Sequence, residues 1–477
     1  MLWVVLGTIF VGAVHDFGAL AISIRAQGLS IGKITESLVG TRAKTLFHLI
    51  IFFLVALAMG VFVHIVATLF SPEFYPESVV PSTLLILMAL VAGVAIYRYS
   101  LGIRTLTAIG IIVLLFLMWI GIRYPIIGPS LTQWKWSLIL YAFSASVLPV
   151  WALLQPRDYI NSLLLYLGIG AMYIGFFFTN PSFVAPALDL NPQGAPPMFP
   201  FVFIVIACGA ASGFHALVSS GTSAKQLNKE TEARFIGYGG MIGESLLALM
   251  AVLACTAGFA SKDAWLTRYV SWETADGLSN NIAAFISGTT YFLTHLGIPN
   301  EMASTFVAVL VVSFALTSLD SATRILRYNV SEIGETLGVS SFSNRYIAST
   351  IAVTAICFFA FYQVGGEFAG LVLWQLFGTT NQLLAGLALL AITVYLLRRG
   401  KPLFYTFIPM LFMLVSSLSA MGSNLIEFWL NRQWLLLTTG SIIFTLAIWL
   451  TVEATLAVKK YRQNPTIEDL EIRFTTQ

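Results

Sequence analysis

The sequence predicts an all-α, polytopic membrane protein built around an internal repeat, on three observations. Hydrophobic residues make up 58% of the 477-residue chain and charged residues only 10%, whereas a soluble domain carries about 25% charged residues. The apolar residues fall in runs of helix length, which a barrel of alternating strands would not produce. A glycine stands four residues before an acid at Gly12–Asp16 and again at Gly240–Glu244, the echo expected of two copies of one unit.

The spans follow in order. The first, 2–24, has no basic stretch ahead of it and no clear cleavage site, so it is a span and not a signal peptide. Arg25, Lys33, Arg42 and Lys44 come next and put that loop in the cytoplasm by the positive-inside rule. Further spans fall at 45–70, 82–97, 105–122, 136–154 and 160–178, with the polar turn Gln155, Arg157 and Asp158 between the last two. The stretch 180–200 is too rich in proline to continue a helix and is expected to be an external loop or lid. Spans at 200–225 and 235–259 come after it. Arg324, Arg327 and Arg345 mark another cytoplasmic loop. Only an odd number of crossings can reach it, so 281–296 is expected to be interfacial or re-entrant and 302–322 the true span. Spans at 346–362, 371–397, 403–420 and 434–458 complete about thirteen, with a helix interruption expected at Thr379–Leu383.

This ordering divides a single transmembrane domain, 1–458, into a partial first repeat (1–122), a connecting helix pair (136–178), a second repeat (199–397) and a C-terminal pair (403–458). Residues 459–477 form a cytoplasmic tail. On the repeat, the span at 200–225 is the partner of a helix that would precede Leu2, so the first helix of repeat one is expected to be missing from this chain. Ser212 and His215 would then face a groove.

The span 200–225 opens on an apolar run and then meets Gly209, Ser212, Gly213, His215, Ser219 and Ser220. Small and hydroxylated residues let a backbone open and then satisfy the groups that opening frees. Facing half-helix ends offer N–H groups to an anionic ligand and C=O groups to a cation, so these six are the candidate substrate-binding residues. The plainer alternative is a close-packed helix.

Asp16 and Glu244 lie inside apolar spans, where an ionised carboxylate costs roughly 2.5–3.5 kcal/mol on insertion scales. Such groups face a cavity, find a cation, titrate, or make structural hydrogen bonds. His15 points about 100° away from Asp16 round the helix and need not pair with it. Thr317, Ser318, Asp320 and Ser321 form a second concentration of hard oxygen ligands, suited to Na⁺ or, through the carboxylate, to H⁺; Asp320 alternatively pairs with Arg324 one turn on. Together with His15, Asp16 and Glu244 these are the candidate ion-coupling residues. Gln155, Arg157 and Asp158 are candidate gate residues or simply a solvated turn. His48, His64 and His295 read as hydrogen-bonded packing residues, and Glu367, Gln375, Asn381 and Gln382 as candidate cavity lining.

Several classes are excluded. Cys208, Cys255 and Cys357 sit in apolar runs and read as packing residues, with no disulfide framework or metal-ligand spacing. No phosphate-binding loop supports ATP-driven pumping. The net charge of +3 comes from short loops and implies no nucleic-acid partner. An intramembrane hydrolase built on Ser220 and His215 is a third and weaker reading, because no oxyanion or acid partner is evident. No cofactor is expected beyond H⁺ or Na⁺ as coupling ion. The expected partners are the lipid bilayer and a small-molecule or peptide substrate, and the reading from another class is a non-transporting sensor or remnant.

Five segments, 12–32, 148–165, 206–222, 236–251 and 313–328, resemble the carbon starvation protein A family, in family order. The resemblance implies an inner-membrane transporter of peptides or a small carboxylate such as pyruvate, serving carbon starvation. It also implies a leucine-transporter-like fold of two inverted five-helix repeats. In that fold 200–225 is the interrupted first helix of repeat two, and Ser313–Arg324 the hydroxyl-rich helix that often holds sodium.

Overall fold

The computed structural model describes residues 1–99, 103–189, 194–206, 208–269, 278–364, 367–368 and 370–463. Among these, helix dominates, and the strand content is one antiparallel pair, Gln363–Val364 with Glu367–Phe368. A π-helical stretch, Trp3–Gly12, continues as α1, Ala13–Arg25. The Ser30 hydroxyl accepts from the Lys33 amide at 3.3 Å and so starts α2, Ile31–Leu38. Then come α3 (Thr41–Leu69), α4 (Val79–Tyr99) and α5 (Ile103–Arg123). A capping box of Ser130 and Gln133 opens α6 (Leu131–Val147), and α7 (Leu154–Thr179) stops at Asn180, which is left-handed at φ 43°.

Next are α8 (Met198–Val205) and α9 (Gly213–Gly221), two halves of one broken helix. A second π-helical stretch, Arg234–Tyr238, runs into α10 (Gly239–Ala257). The short α11 (Lys262–Arg268) and α12 (Leu278–Thr294) lead to α13 (Asn300–Leu337), the longest helix described. The remainder is α14 (Arg345–Ala360), α15 (Gly370–Arg398), α16 (Phe404–Leu430) and α17 (Trp434–Gln463).

The order of elements repeats. Each half has a helix that starts π and ends α, then one or two shorter helices (α2, or α11 and α12), a long helix (α3 or α13) and two more (α4 and α5, or α14 and α15). The two π-to-α helices pack against each other in opposite directions. The Tyr238 hydroxyl donates to the Ile9 carbonyl at 3.1 Å and the Ser245 hydroxyl to that of Val4 at 3.5 Å, while Gly237 packs on Phe17. As one chain rises the other falls, the relation the glycine–acid echo predicts. The glycines themselves do not correspond: Gly240 faces open space, and Gly237 makes the close contact instead.

The core is built on α3, which packs along α13, α14 and α15. Phe47, Ile50, Leu54 and Leu57 recur on it at three- and four-residue spacing, each 1% exposed or less. The outward faces are apolar as well: Val91 on α4, Ile112 and Trp119 on α5, Phe177 on α7 and Ile408 on α16 are exposed. Lipid solvates such faces and water does not. Nine helices among the described residues are long and apolar enough to cross a membrane, and the protein is a multi-pass membrane protein. Four expected spans have other forms: Thr107–Arg123 and Arg345–Ala360 are shorter apolar helices, α6 has 17 residues, and the span at 200–225 is the broken pair α8 and α9.

Two local expectations are corrected. No break occurs at Thr379–Leu383; α15 runs through it as continuous helix. Gln155, Arg157 and Asp158 lie in the first turns of α7 and not in a loop. Pro156 is compatible with that position, because the first N–H groups of a helix have no partner within it.

Candidate functional site

The break between α8 and α9 frees backbone groups inside the protein, and several of them meet named partners. On the carbonyl side, the Trp3 indole N–H donates to Ile206 at 3.1 Å, the Thr8 hydroxyl to Gly209 at 3.1 Å, and the Gln382 amide to Phe203 at 3.0 Å. On the amide side, Asn381 Oδ1 accepts from the Phe214 N–H at 2.8 Å, and the Asn381 amide donates to the Ser212 hydroxyl at 3.2 Å. The polar residues of α15 are therefore explained by the gap in its neighbour: they close the open ends of α8 and α9 while their own helix stays intact. Two glycines make the approach possible. A Cβ on Gly213 would lie 2.3 Å from the Asn381 carbonyl oxygen, and one on Gly12 would lie 2.2 Å from that of Ala210.

Past the break, α9 runs alongside α1 in the same direction. Gly12 meets Ala210 at one end, and the Ser23 hydroxyl reaches the Ser220 carbonyl at 3.4 Å at the other. That register brings Asp16 to His215. His215 Nδ1 lies 2.7 Å from Asp16 Oδ2, and His215 Nε2 lies 2.9 Å from Glu244 Oε2. The second oxygen of Asp16 is 2.7 Å from His15 Nδ1, so the two do pair although their helix positions diverge. The rings and carboxylates form one chain, His15–Asp16–His215–Glu244. Side-chain exposure rises along it from 0% and 7% to 22% and 34%, from a closed interior toward an open side.

The chemistry of that chain follows from donor counting. Both ring nitrogens of His215 face carboxylate oxygens, and an ionised carboxylate only accepts. Either the imidazole carries two protons or one carboxyl carries its own. With both acids ionised and His215 an imidazolium, the cluster bears one net negative charge, a costly state in apolar surroundings. One further proton neutralises it. Four groups thus share a proton count that can change by one without any group losing its neighbour.

The predicted site residues separate. His215 of the substrate set joins His15, Asp16 and Glu244 of the ion-coupling set. Ser212 is 1% exposed and bound to Asn381, so it does not face a groove. Gly209 packs on Ala248. Ser219 is buried, and Ser220 turns to α2, where its hydroxyl accepts from the Ile31 amide at 3.1 Å.

Thr317, Ser318, Asp320 and Ser321 belong to a second cluster. Asp320 pairs with Arg157 and accepts from the Tyr141 hydroxyl at 2.7 Å, while Thr317 accepts from the Asn161 amide at 2.6 Å. The Asp320–Arg324 alternative is corrected: Arg324 donates to the Ala145 carbonyl at 2.5 Å. Ser318 and Ser321 are half-buried. Of the gate residues, Arg157 is buried in this pair, Gln155 donates to Gln226 at 3.3 Å, and Asp158 is exposed. Glu367 and Gln375 have side chains outside the described residues. Trp3, Thr8, Tyr141 and Asn161 carry no mark in the sequence that sets them apart from other membrane-helix residues.

Fold and site together define a class: a polytopic helical membrane protein with an interrupted helix whose histidine is held between two intramembrane carboxylates. The chain belongs to the carbon starvation protein CstA family, which it matches over residues 1–265 and 264–420. It is 31% identical to the peptide transporter CstA of Helicobacter pylori over 84% of this chain and 66% of that one. It is 32% identical to the peptide transporter CstA of Escherichia coli, covering 88% and 68%. A third relative, the pyruvate/proton symporter BtsT of Escherichia coli, is 30% identical over 89% and 70%. The chain thus spans about two thirds of the length of these relatives. A solved manganese transporter from Eremococcus coleocola is similar at 13% identity and a TM-score of 0.37, covering 93% of this chain and 95% of that one.

Proposed function

We propose that this chain is a secondary active transporter of the inner membrane that couples entry of a peptide or a small carboxylate such as pyruvate to H⁺. The observation that carries the reading is the buried chain His15–Asp16–His215–Glu244. It joins the first half of the molecule to the second through the interrupted helix, so a change in its protonation alters the contact between the halves. Coupling of this kind needs a site whose charge differs between two arrangements of the protein. Relatives named as peptide transporters and as a pyruvate/proton symporter support both substrate classes. The C-terminus lies in the cytoplasm on this reading, and the chain is not an enzyme.

The test is uptake of labelled dialanine and labelled pyruvate into proteoliposomes under an imposed proton gradient, with a sodium gradient as the alternative drive. Proton-driven uptake of one of them is expected, reduced about a hundredfold in Asp16→Asn. Uptake driven by sodium alone, or an undiminished Asp16→Asn, overturns the coupling assignment.

A further inference from the structure

A second imidazole–carboxylate pair lies away from the break. His48 of α3 is 1% exposed, and its Nε2 stands 3.2 Å from Glu332 Oε2 of α13. The same carboxylate accepts from the Ser30 hydroxyl at 3.0 Å. On the other side of the ring, Asn329 and His48 Nδ1 are 2.8 Å apart. These groups border a cavity of about 190 Å³, whose wall also includes Leu217 and Ser220 of α9. Polar walls at that size admit water. Gly32 makes room for the ring: a Cβ there would lie 2.5 Å from His48 Cε1.

We infer that His48 and Glu332 form a second proton-binding site, open to this cavity. Four observations bear on it. His48 Nε2 is within ion-pair distance of Glu332 but is not aligned for a hydrogen bond, so the contact is close without being closed. Asn329, 4% exposed, leaves its Oδ1 without a partner while its amide nitrogen faces His48 Nδ1. A half-turn of that amide presents the oxygen to Nδ1 and accepts from a ring protonated on both nitrogens. The charges facing the site are themselves paired: Lys33 of α2 with Glu335 of α13 at 3.1 Å, and Lys44 of α3 with Glu36 of α2 at 2.9 Å. Lys225, over the Tyr328 ring at 5.7 Å, also stands on the cavity wall. Finally, α9 bears His215 near one end and Ser220 near the other, about 7.5 Å of helix rise apart. One short helix therefore separates the two imidazole sites. Serving as the exit for protons from the first is a role that rests on the transport reading; binding of a proton at His48 does not.

The experiment reads the two separately. Nitrogen NMR of the histidine-labelled protein in nanodiscs follows His48 among five histidines, assigned by its loss in His48→Gln. Between about pH 8 and about pH 5 its ring is expected to pass from one protonated nitrogen to two. Glu332→Gln should lower the midpoint by about one pH unit, and Asn329→Asp should raise it by a similar amount. A ring that keeps one proton throughout, or a midpoint that neither variant moves, overturns the inference. Should one variant fail to fold, the other still gives the sign. In proteoliposomes, Glu332→Gln is expected to cut proton-driven accumulation about tenfold and to leave substrate exchange at equal concentrations intact. If the unaltered protein moves no substrate, the transport reading fails and the NMR titration still decides the proton site.

Discussion

Two buried carboxylates, Asp16 and Asp320, begin from the same position in the sequence sense: each is a lone acid within an apolar span. Their partners differ. Asp320 is held by the guanidinium of Arg157 and the hydroxyl of Tyr141, with side chains 2% and 0% exposed in the ion pair. Asp16 is held by the imidazoles of His15 and His215. A guanidinium never gives up its proton in a protein, whereas an imidazole does so within the working range of cells. The first pair is therefore a fixed, neutral bolt between α7 and α13. The second is a junction whose charge can change. An acid in a membrane span is a functional candidate by default, but the partner decides whether the function is to hold or to switch. At Asp320 the sequence displays the oxygen ligands but not the guanidinium of Arg157 that pairs with them.

The largest effect should come from breaking the bolt. Arg157→Met leaves Asp320 buried and unpaired, and a loss of about 3–5 kcal/mol in stability is expected, read by thermal unfolding in detergent. Arg157→His sharpens the comparison by giving Asp320 the kind of partner Asp16 has. An imidazole holds the acid only while protonated, so this variant should be most stable at low pH and lose stability as the pH rises. A melting temperature indifferent to pH in Arg157→His would show that partner type is not what separates the two sites.

A smaller loss is expected at the interface that closes the break. Asn381→Leu strips the Phe214 amide and the Ser212 hydroxyl of their partner, at a cost of about 1–3 kcal/mol. Faster hydrogen exchange confined to the start of α9 would locate the damage; uniform loosening of the whole bundle would contradict the assigned role. The smallest effect is placed at Glu244, the exposed end of the chain His15–Asp16–His215–Glu244. Glu244→Gln keeps the shape but removes one carboxylate, and about a tenfold fall in proton-driven uptake is expected, with the melting temperature nearly unchanged. A fall as deep as that of Asp16→Asn would mean that exposure along the chain does not grade the contributions.

Much of this was legible in the residues. The helix break announced itself through Gly209, Ser212 and Gly213, and the buried acids through the placing of Asp16 and Glu244 in apolar spans. The misreadings have a common cause. Thr379–Leu383 looked like a break in its own helix because its polar residues had no visible use; their use lies in α8 and α9, far away in the chain. Gln155–Asp158 looked like a loop because a charged pair among apolar residues suggests solvent, and the partner that buries Arg157 is Asp320, more than a hundred residues on. His15 and Asp16 had no need to pair, because adjacent helix positions diverge at the backbone, yet two flexible side chains do meet.

By itself, then, the sequence determined the medium, the helical class, the approximate spans and the places where the backbone is permitted to open, because hydrophobic run length and the small size of glycine and serine act locally. Only the tertiary structure decided which polar groups meet. The antiparallel packing of the two π-to-α helices set Asp16 and Glu244 on either side of His215, and the packing of α7 on α13 gave Asp320 to Arg157. Ion pairs and hydrogen bonds depend on distances of a few ångströms between residues that the chain separates by scores or hundreds of positions, and no local pattern encodes that distance.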